Sequence, residues 1–470
     1  MYKEIIVTID IGSSKIVAAA GKKDEKGAIH ILALETEATK TSVYRGRIYN
    51  VGEVSRKIKS LLNRLNNKLD EKITKIYVGV GGQSLVTETY PVVEKTEETI
   101  INEQLLRSLR EKCKYYRPIL LEVLDVVFPE YLLDGKSEEK PIGVSCKKIE
   151  AKFQIILGNP AIKRNINICI LDNNVEIAGY FIAPLATANA VLTDLEKNLG
   201  CALIEFGAGV TYLSVYKNNL LKYLVTIPIG ANVITKDIVN LNIMEDEAEN
   251  LKIAYGHALV DNDDDNYPVK IMANNKEIDI DDLNDIIEAR VDEIIANIKK
   301  QLEISGFSNT LGGGIIITGG GAALRNLSES IEEKTKQKVR IATVKKGLIV
   351  NDSSEYGKLS GIEETVGLLS LGTENCIKPK EVEKPVSQPP EAEKFNDFLF
   401  SKDEVEVVEK EKNPRGKRKP PVGQEENKKI KKGIVLSLID KMSKDLFNSA
   451  DSTDEEEEDE NDKINLSHEQ

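Results

Sequence analysis

Asp10, Gly12, Ser13 and Ser14 sit between two apolar runs in the stretch Ile5 to Ala20, IIVTIDIGSSKIVAAA. A strand, an acid, a glycine, two hydroxyls and a second strand make a hairpin that can wrap a phosphate. The glycine lets backbone N–H groups close on phosphate oxygens, the serines add donors, and Asp10 can hold a magnesium ion through water. By itself the pattern is also that of an ordinary tight turn.

The same layout returns at Gly200 to Tyr216, GCALIEFGAGVTYLSVY, with Glu205, Gly207, Gly209 and Thr211 in the corresponding places. An internal duplication is the simplest account, and two hairpins would grip one polyphosphate from opposite sides. A third element, GIIITGGGAAL from Gly314 to Leu324, is a β-rich run ending in Gly319, Gly320 and Gly321. Three glycines let a flat base lie against backbone. Met244 to Gly256 predicts a helix with Ala248, Leu251 and Ile253 near its apolar side and Glu249 and Lys252 on a polar side. That pair is either a surface ion pair or a contact for ribose and adenine.

The elements that would position these residues fit an α/β chain of more than one domain. The 470 residues are 41% apolar, enough for sizeable cores. The net charge of −13 owes much to the run Asp454 to Glu460 and says little about the core. Five cysteines without a CxxC spacing argue against zinc and disulfide frameworks and fit a reducing cytosol. No signal-peptide pattern opens the chain, and no apolar stretch reaches the ~18 residues that span a bilayer. The only Gly-Lys-Ser, at Gly135 to Ser137, lacks the upstream glycine of a Walker motif and reads as a turn. Gly79 to Ser84, GVGGQS, reads as a domain crossing.

Two helical segments carry further candidates. Asn284 to Leu302 places Ile287, Val291, Ile294, Ile295 and Ile298 on one stripe, with Arg290 and Glu293 off it as a potential solvated ion pair. Lys428 to Phe447 follows a Pro-, Glu- and Lys-rich stretch and gathers Ile430, Ile434, Val435, Leu438, Ile439, Met442 and Leu446 on about half a helical wheel, with Phe447 closing the segment. Lysines flank that arc. On an anionic bilayer each is worth ~1 kcal/mol while the apolar face enters the headgroup boundary. A groove on a partner protein is the alternative occupant. The acidic tail beyond it is read as weakening membrane attachment until avidity compensates.

In this order and spacing, DIGSSK, ALIEFGAGVT, AENLK and ITGGGAAL resemble the actin-like ATPase superfamily. Val123 to Gly158 and Ala183 to Gly200 are similar to the inserted subdomain and the linking helix of its bacterial cell-division family, FtsA, and the resemblance runs from about Tyr2 to Cys376. It implies a two-lobed α/β actin-like fold with ATP and Mg2+ between the lobes. Asp10, Gly12, Ser13, Ser14 and Lys15 would form one phosphate loop and Glu205, Gly207, Ala208, Gly209 and Thr211 the second. Glu249 and Lys252 would meet the nucleoside, and Gly319 to Gly321 the adenine. Arg290 and Glu293 would receive the C-terminal tail of the tubulin-like protein FtsZ.

The implied organisation is a first lobe from residues 1–82, 162–195 and 346–376, interrupted by an insert at 83–161. A second lobe follows from 196–230 and 299–345, with a small subdomain at 231–298. A disordered linker (377–426), an amphipathic membrane helix (427–448) and an acidic disordered tail (449–470) complete it. The implied role is a self-associating tether on the cytoplasmic face of the plasma membrane at the division site, recruiting later division proteins through the insert. No nucleic-acid partner is expected. Glu205, Ala208 and Val210 stand where the family usually has Asp, Gly and Thr, which predicts ATP binding with slow or undetectable hydrolysis. A small-molecule kinase or phosphatase on the same fold, and a pilus- or secretion-associated relative, remain the alternatives.

Overall fold

The computed structural model describes residues 4–259, 269–273, 276–350 and 361–378, all within one compact unit. The amphipathic segment with Ile430 to Phe447, the acidic tail, and all of the linker beyond Lys378 lie outside the described residues.

The alternating apolar runs at the start of the chain build a sheet. β1 (Ile6–Ile11) pairs antiparallel with β2 (Lys15–Lys23), Asp10 opposite Val17, and β2 pairs antiparallel with β3 (Ile29–Ala38). A small hairpin, β4 (Val43–Tyr44) and β5 (Arg47–Ile48), leads into α1 (Val51–Leu69). The Asn50 side chain accepts from the Glu53 amide at 3.0 Å, capping α1 at its start. Val54, Ile58, Leu61, Leu62 and Leu65, three and four apart, are buried on one face of that helix, which packs on β2 and β3. Each fully buried aliphatic contributes ~1.5–3 kcal/mol before chain entropy is counted. β6 (Lys75–Val80) then runs parallel to β1 on its other edge.

From Val86 the chain leaves this sheet for an inserted layer of β7 (Val86–Ile100), α2 (Glu103–Lys112), β8 (Glu122–Val126), β9 (Glu130–Leu133), β10 (Lys136–Glu138) and β11 (Ser145–Gly158). β7 and β11 are the long antiparallel pair, and Val92, Leu109, Ile149, Phe153 and Ile155 form the layer's own core. Gly135, at φ 84°, makes the β9–β10 turn that Gly-Lys-Ser predicts. This layer is bonded to the second half of the chain. Val86 pairs with Val225, the Leu224 amide donates to Thr87 Oγ1 at 2.8 Å, the Thr226 amide to the Leu85 carbonyl at 2.9 Å, and Lys222 meets Glu130 at 2.9 Å.

After α3 (Ala161–Leu171), β12 (Glu176–Ile182) closes the first sheet in the order β12-β6-β1-β2-β3. α4 (Ala183–Val191) and α5 (Asp194–Leu199), the latter held by a Thr193–Glu196 capping box, cross to β13 (Cys201–Phe206), β14 (Thr211–Lys217) and β15 (Leu220–Ile227). Next come α6 (Ala231–Val239), α7 (Glu245–Tyr255), the hairpin β16 (Lys270–Ala273) and β17 (Lys276–Asp279), and α8 (Ile280–Ser305). β18 (Ile315–Thr318), α9 (Leu327–Thr335) and β19 (Val339–Ile341) complete the second sheet. This sheet is continuous with the insert, ten strands in all in the order β10-β9-β11-β7-β15-β14-β13-β18-β19 with β8 on β11, and its segment β15-β14-β13-β18-β19 repeats the first sheet's order, three antiparallel strands followed by two parallel ones.

The stripe Ile287, Val291, Ile294, Ile295 and Ile298 is buried along α8, as its spacing predicts. The helix ends on Gly306 at φ 75°, where a left-handed residue is needed. α10 (Ile362–Leu371) returns to pack on α4, β1 and β2. It starts at Ile362 after Gly361 at φ 81°, and residues 351–360 lie outside the described set. The linker boundary also shifts: Ile377 bridges Ile73, and the Lys378 amide donates to the Lys72 carbonyl at 2.9 Å. Among the described residues no helix is long and apolar enough to cross a membrane.

Candidate nucleotide site

The two sheets present matching turns to one cavity. At the β1–β2 turn the Gly12 amide donates to the Lys15 carbonyl at 3.0 Å, and at the β13–β14 turn the Gly207 amide donates to the Val210 carbonyl at 2.9 Å. The duplication read in the sequence thus extends to the hydrogen bond that closes each turn. It also corrects a detail, because these two glycine amides close their own hairpins and are not aimed at a phosphate.

A cavity of about 480 Å³, within the usual range for small-molecule sites, lies between the turns. Asp10, Gly12, Ser13, Ser14 and Lys15 line it from the first turn; Glu205, Gly207, Ala208 and Gly209 line it from the second. Glu249, Lys252, Gly319, Gly320 and Gly321 line the far end. Thr211 does not. Its side chain is fully buried on β14 and its hydroxyl donates to the Ile229 carbonyl at 2.8 Å, because Val210 takes the last turn position and period-two alternation sends Thr211 into the sheet.

The turns are braced from behind. Ser13 Oγ accepts from the Gly46 amide at 2.7 Å, which leaves its own proton to donate into the cavity. The carbonyls of Gly207 and Ala208 accept from the Ala231 and Asn232 amides at 3.0 and 2.8 Å, so the start of α6 fixes the second turn. Gly209 faces Ser13 across the cleft; a Cβ there would come within 2.8 Å of Ser13 Cβ and 3.0 Å of Arg45 Cα. Tyr212, also in the lining, accepts from the Gly82 amide at 2.6 Å.

At the far end Gly319 adopts φ 90°, and a Cβ there would stand 2.8 Å from the Phe206 carbonyl carbon, so glycine is required. On α7, Lys252 is not on the solvated side that the sequence suggests. It is 7% exposed, with Nζ donating to Thr235 Oγ1 at 2.7 Å and the Ala231 carbonyl at 3.2 Å while pairing with Glu249 at 2.6 Å. Ile253, expected on the apolar side, is 68% exposed and lines the cavity, where an apolar face can meet a flat base. Ala248 and Leu251 are buried as expected, so α7 keeps its apolar side inward while Ile253 reaches the cleft and Lys252 packs under α6.

The end of the cavity near the two turns is acidic. Glu363 and Glu364, in the first turn of α10, join Asp10 and Glu205 in the wall. Burial pushes Asp10 above the ordinary carboxylate range, partly offset by a hydrogen bond with Glu364 and by the Lys15 charge. Burial also raises Glu205 to about 7, against a hydrogen bond with Thr187 and with the Asp10 charge adding to the rise. Glu364 is driven well up by burial and by both neighbouring carboxylates. Sequence reasoning missed Glu363, Glu364 and Tyr212. An acidic pair ahead of the apolar run TVGLLSLG was the available signal for the two glutamates; nothing distinguished the tyrosine.

The donor set suits Mg2+, which prefers oxygen ligands and keeps several waters. Glu205 Oε2 is buried without a hydrogen-bond partner, and no three His, Cys, Asp or Glu among the described residues converge to hold a bare ion. A cation would therefore be held through water by Asp10 and Glu205. Remote from this cavity, Arg290 on α8 pairs through Nε with Asp237 on α6 at 2.5 Å and through Nη1 with Glu293, so both residues belong to one network pinning α8 to α6.

Comparison with known proteins agrees with this architecture. The family model described as cell division protein FtsA matches residues 202–359. A cell division protein FtsA of Porphyromonas gingivalis is 33% identical over 384 residues, 79% of each chain. Those of Neisseria meningitidis and Bacillus subtilis are each 29% identical, covering 70% and 72% of this chain and 81% and 79% of their own. Among solved structures, the PilM-PilN type IV pilus biogenesis complex superposes with a TM-score of 0.56 at 14% identity, covering 78% of this chain and 97% of that one, a likeness of fold. With the duplicated sheets, the facing turns and a third of its residues shared with a curated relative over four-fifths of both, the chain belongs to the FtsA family of cell division proteins and has the actin-like fold.

Proposed function

We propose that the chain binds ATP with Mg2+ between its two sheets as a conformational ligand and serves as a self-associating tether for FtsZ at the plasma membrane. The observation that carries the nucleotide reading is the convergence of both hairpin turns and the glycine run of residues 319–321 on one cavity. The magnesium would polarise and neutralise the phosphates. Ser13 donates its hydroxyl proton, Gly319 to Gly321 offer bare backbone to the base, Ile253 covers its face, and Lys252 holds Glu249 toward the sugar. Glu205, longer than the family's usual aspartate, supports binding over turnover.

Family membership and the Arg290–Glu293–Asp237 network support docking of the FtsZ C-terminal tail on the α6–α8 face. Arg290→Glu would set three carboxylates together and loosen α6, which braces the second turn. Glu293→Lys keeps the Arg290–Asp237 pair and is the cleaner variant. It should weaken binding of an FtsZ C-terminal peptide at least ~10-fold, about 1.4 kcal/mol, with ATP affinity within twofold. Unchanged peptide binding in a titration would remove the role.

The lysine-flanked apolar segment at Ile430 to Phe447 supports membrane attachment, and the exposed Ile119, Leu120 and Phe128 of the insert support recruitment of further division proteins there. Co-sedimentation with anionic liposomes, with and without FtsZ, tests the tether. The full chain should pellet and bring FtsZ with it; a chain truncated before Lys428 should lose most of that binding. Equal pelleting of both would overturn the assignment. Nucleotide binding is tested by calorimetric titration with ATP and Mg2+.

A further inference from the structure

We propose that residues 115–120 of the insert are a second membrane contact, one that enters the interface of an anionic bilayer. The inference rests on the tether reading, to which it adds a contact on the folded body, and it leaves Phe128 as the protein-facing side of the insert. Tyr115, Ile119 and Leu120 are 79, 87 and 86% exposed. A single exposed leucine is ordinary; three large apolar side chains within six residues are not. Positive charge collects on the same segment. Residues 110–120 hold Arg110, Lys112, Lys114 and Arg117 against Glu111 alone, three positive charges net in a chain of −13.

The segment is held so as to display these side chains. Cys113 is buried, Tyr116 packs on Tyr90 with ring centroids 5.0 Å apart, and Leu121 packs on the insert's core, so anchors lie before, within and after it. Leu120 stands at φ 62°, a left-handed conformation that a branched L side chain rarely adopts. Burial in the protein does not account for a leucine there; contact with an external apolar phase does. Side chains this exposed have almost no protein neighbours, so they line no groove that could enclose a peptide. A bilayer surrounds whatever enters it. Ile119 and Leu120 would sit at the acyl boundary, the Tyr115 ring among the headgroups and the cations against lipid phosphates. Lys112 and Lys114 are engaged in surface ion pairs, with Glu94 at 2.7 Å and with Glu111, which cost little to exchange for phosphate. Arg110 and Arg117 donate to neutral carbonyls, those of Val126 at 2.8 Å and Tyr116 at 2.9 Å.

The test uses the full chain with vesicles of phosphatidylglycerol and phosphatidylethanolamine, and phosphatidylcholine vesicles as the neutral control. Ile119→Ser combined with Leu120→Ser should weaken binding to the anionic vesicles at least ~10-fold in co-sedimentation, with the thermal midpoint within about 2 °C of the unmodified chain. Lys114→Gln with Arg117→Gln should weaken it about 5-fold at low salt, a deficit that closes near ~0.5 M salt. All five native cysteines are buried, so Ile119→Cys can be labelled alone with an environment-sensitive fluorophore. Its emission should shift to the blue on anionic vesicles and be quenched by brominated acyl chains. Unchanged binding of the serine variant, or an unshifted label while the chain pellets, overturns the inference and leaves the C-terminal tether standing. A label that shifts with an acidic peptide but not with vesicles overturns it in favour of a protein partner. Failure of the unmodified chain to pellet at all overturns the tether reading and this contact together.

Discussion

Gly209→Ala should lower ATP affinity at least ~100-fold while leaving adenosine affinity within about threefold. The added methyl group has nowhere to go, because Ser13 Cβ and Arg45 Cα stand 2.8 and 3.0 Å from its position. Ser13 cannot yield easily, since its Oγ is held by the Gly46 amide and its carbonyl by the Thr39 hydroxyl at 2.7 Å. The two turns must therefore separate, and phosphate donors on both sides lose contact. Hydrogen bonds to a charged group are worth ~1.5–3 kcal/mol each, so losing two accounts for the factor. The adenine end, built on Gly319 to Gly321 and α7, is not crossed by this contact. Calorimetry with the two ligands separates the effects, and a parallel loss of adenosine binding would mean that the methyl group disturbs the whole cleft.

The second large effect is a pH dependence of the ligand-free chain. Glu205 is raised by burial from the usual 4.5 to about 7. The folded state thus holds its proton more tightly than the unfolded state, and stability falls as pH rises between these values. The full penalty, up to about 3 kcal/mol, is present by pH 8 and absent below about pH 4.5. Asp10 and Glu364 shift in the same direction and carry the same sign. Glu205→Gln, always neutral, should raise the thermal midpoint at pH 8 by a few degrees and change it little at pH 5. Equal midpoints for the two proteins at pH 8 would show that the carboxylate is not desolvated there.

The contrast between these two sites shows what could be read from the chain. Gly209 was legible because a turn imposes its residue types locally, and the recurrence of Gly12 as Gly207 in the same turn doubled the signal. The buried stripe of α8 was legible for the same reason, since a period of 3.6 over many residues leaves few alternatives. Glu364 was not. It lies more than 350 residues from Asp10 in the chain, and only the packing of α10 on β1 and β2 brings the two together. Lys252 was misplaced because charge is a poor guide to burial once Glu249, Thr235 and a carbonyl satisfy the ammonium. Asp237 was missed because the arginine's second partner sits on another helix, whereas the i, i+3 spacing to Glu293 is visible in sequence.

The hydroxyl of Tyr212 has a reach beyond the cavity it lines. Gly82, whose amide it holds, lies in the short connection between β6 and the insert's β7, and the Gly82 carbonyl in turn accepts from Thr226 Oγ1 at 2.9 Å. The insert is thus connected by the chain to one sheet and hydrogen-bonded to the other, so a substitution at Tyr212 reaches both the cavity lining and the anchorage of the insert that carries the exposed Ile119 and Leu120.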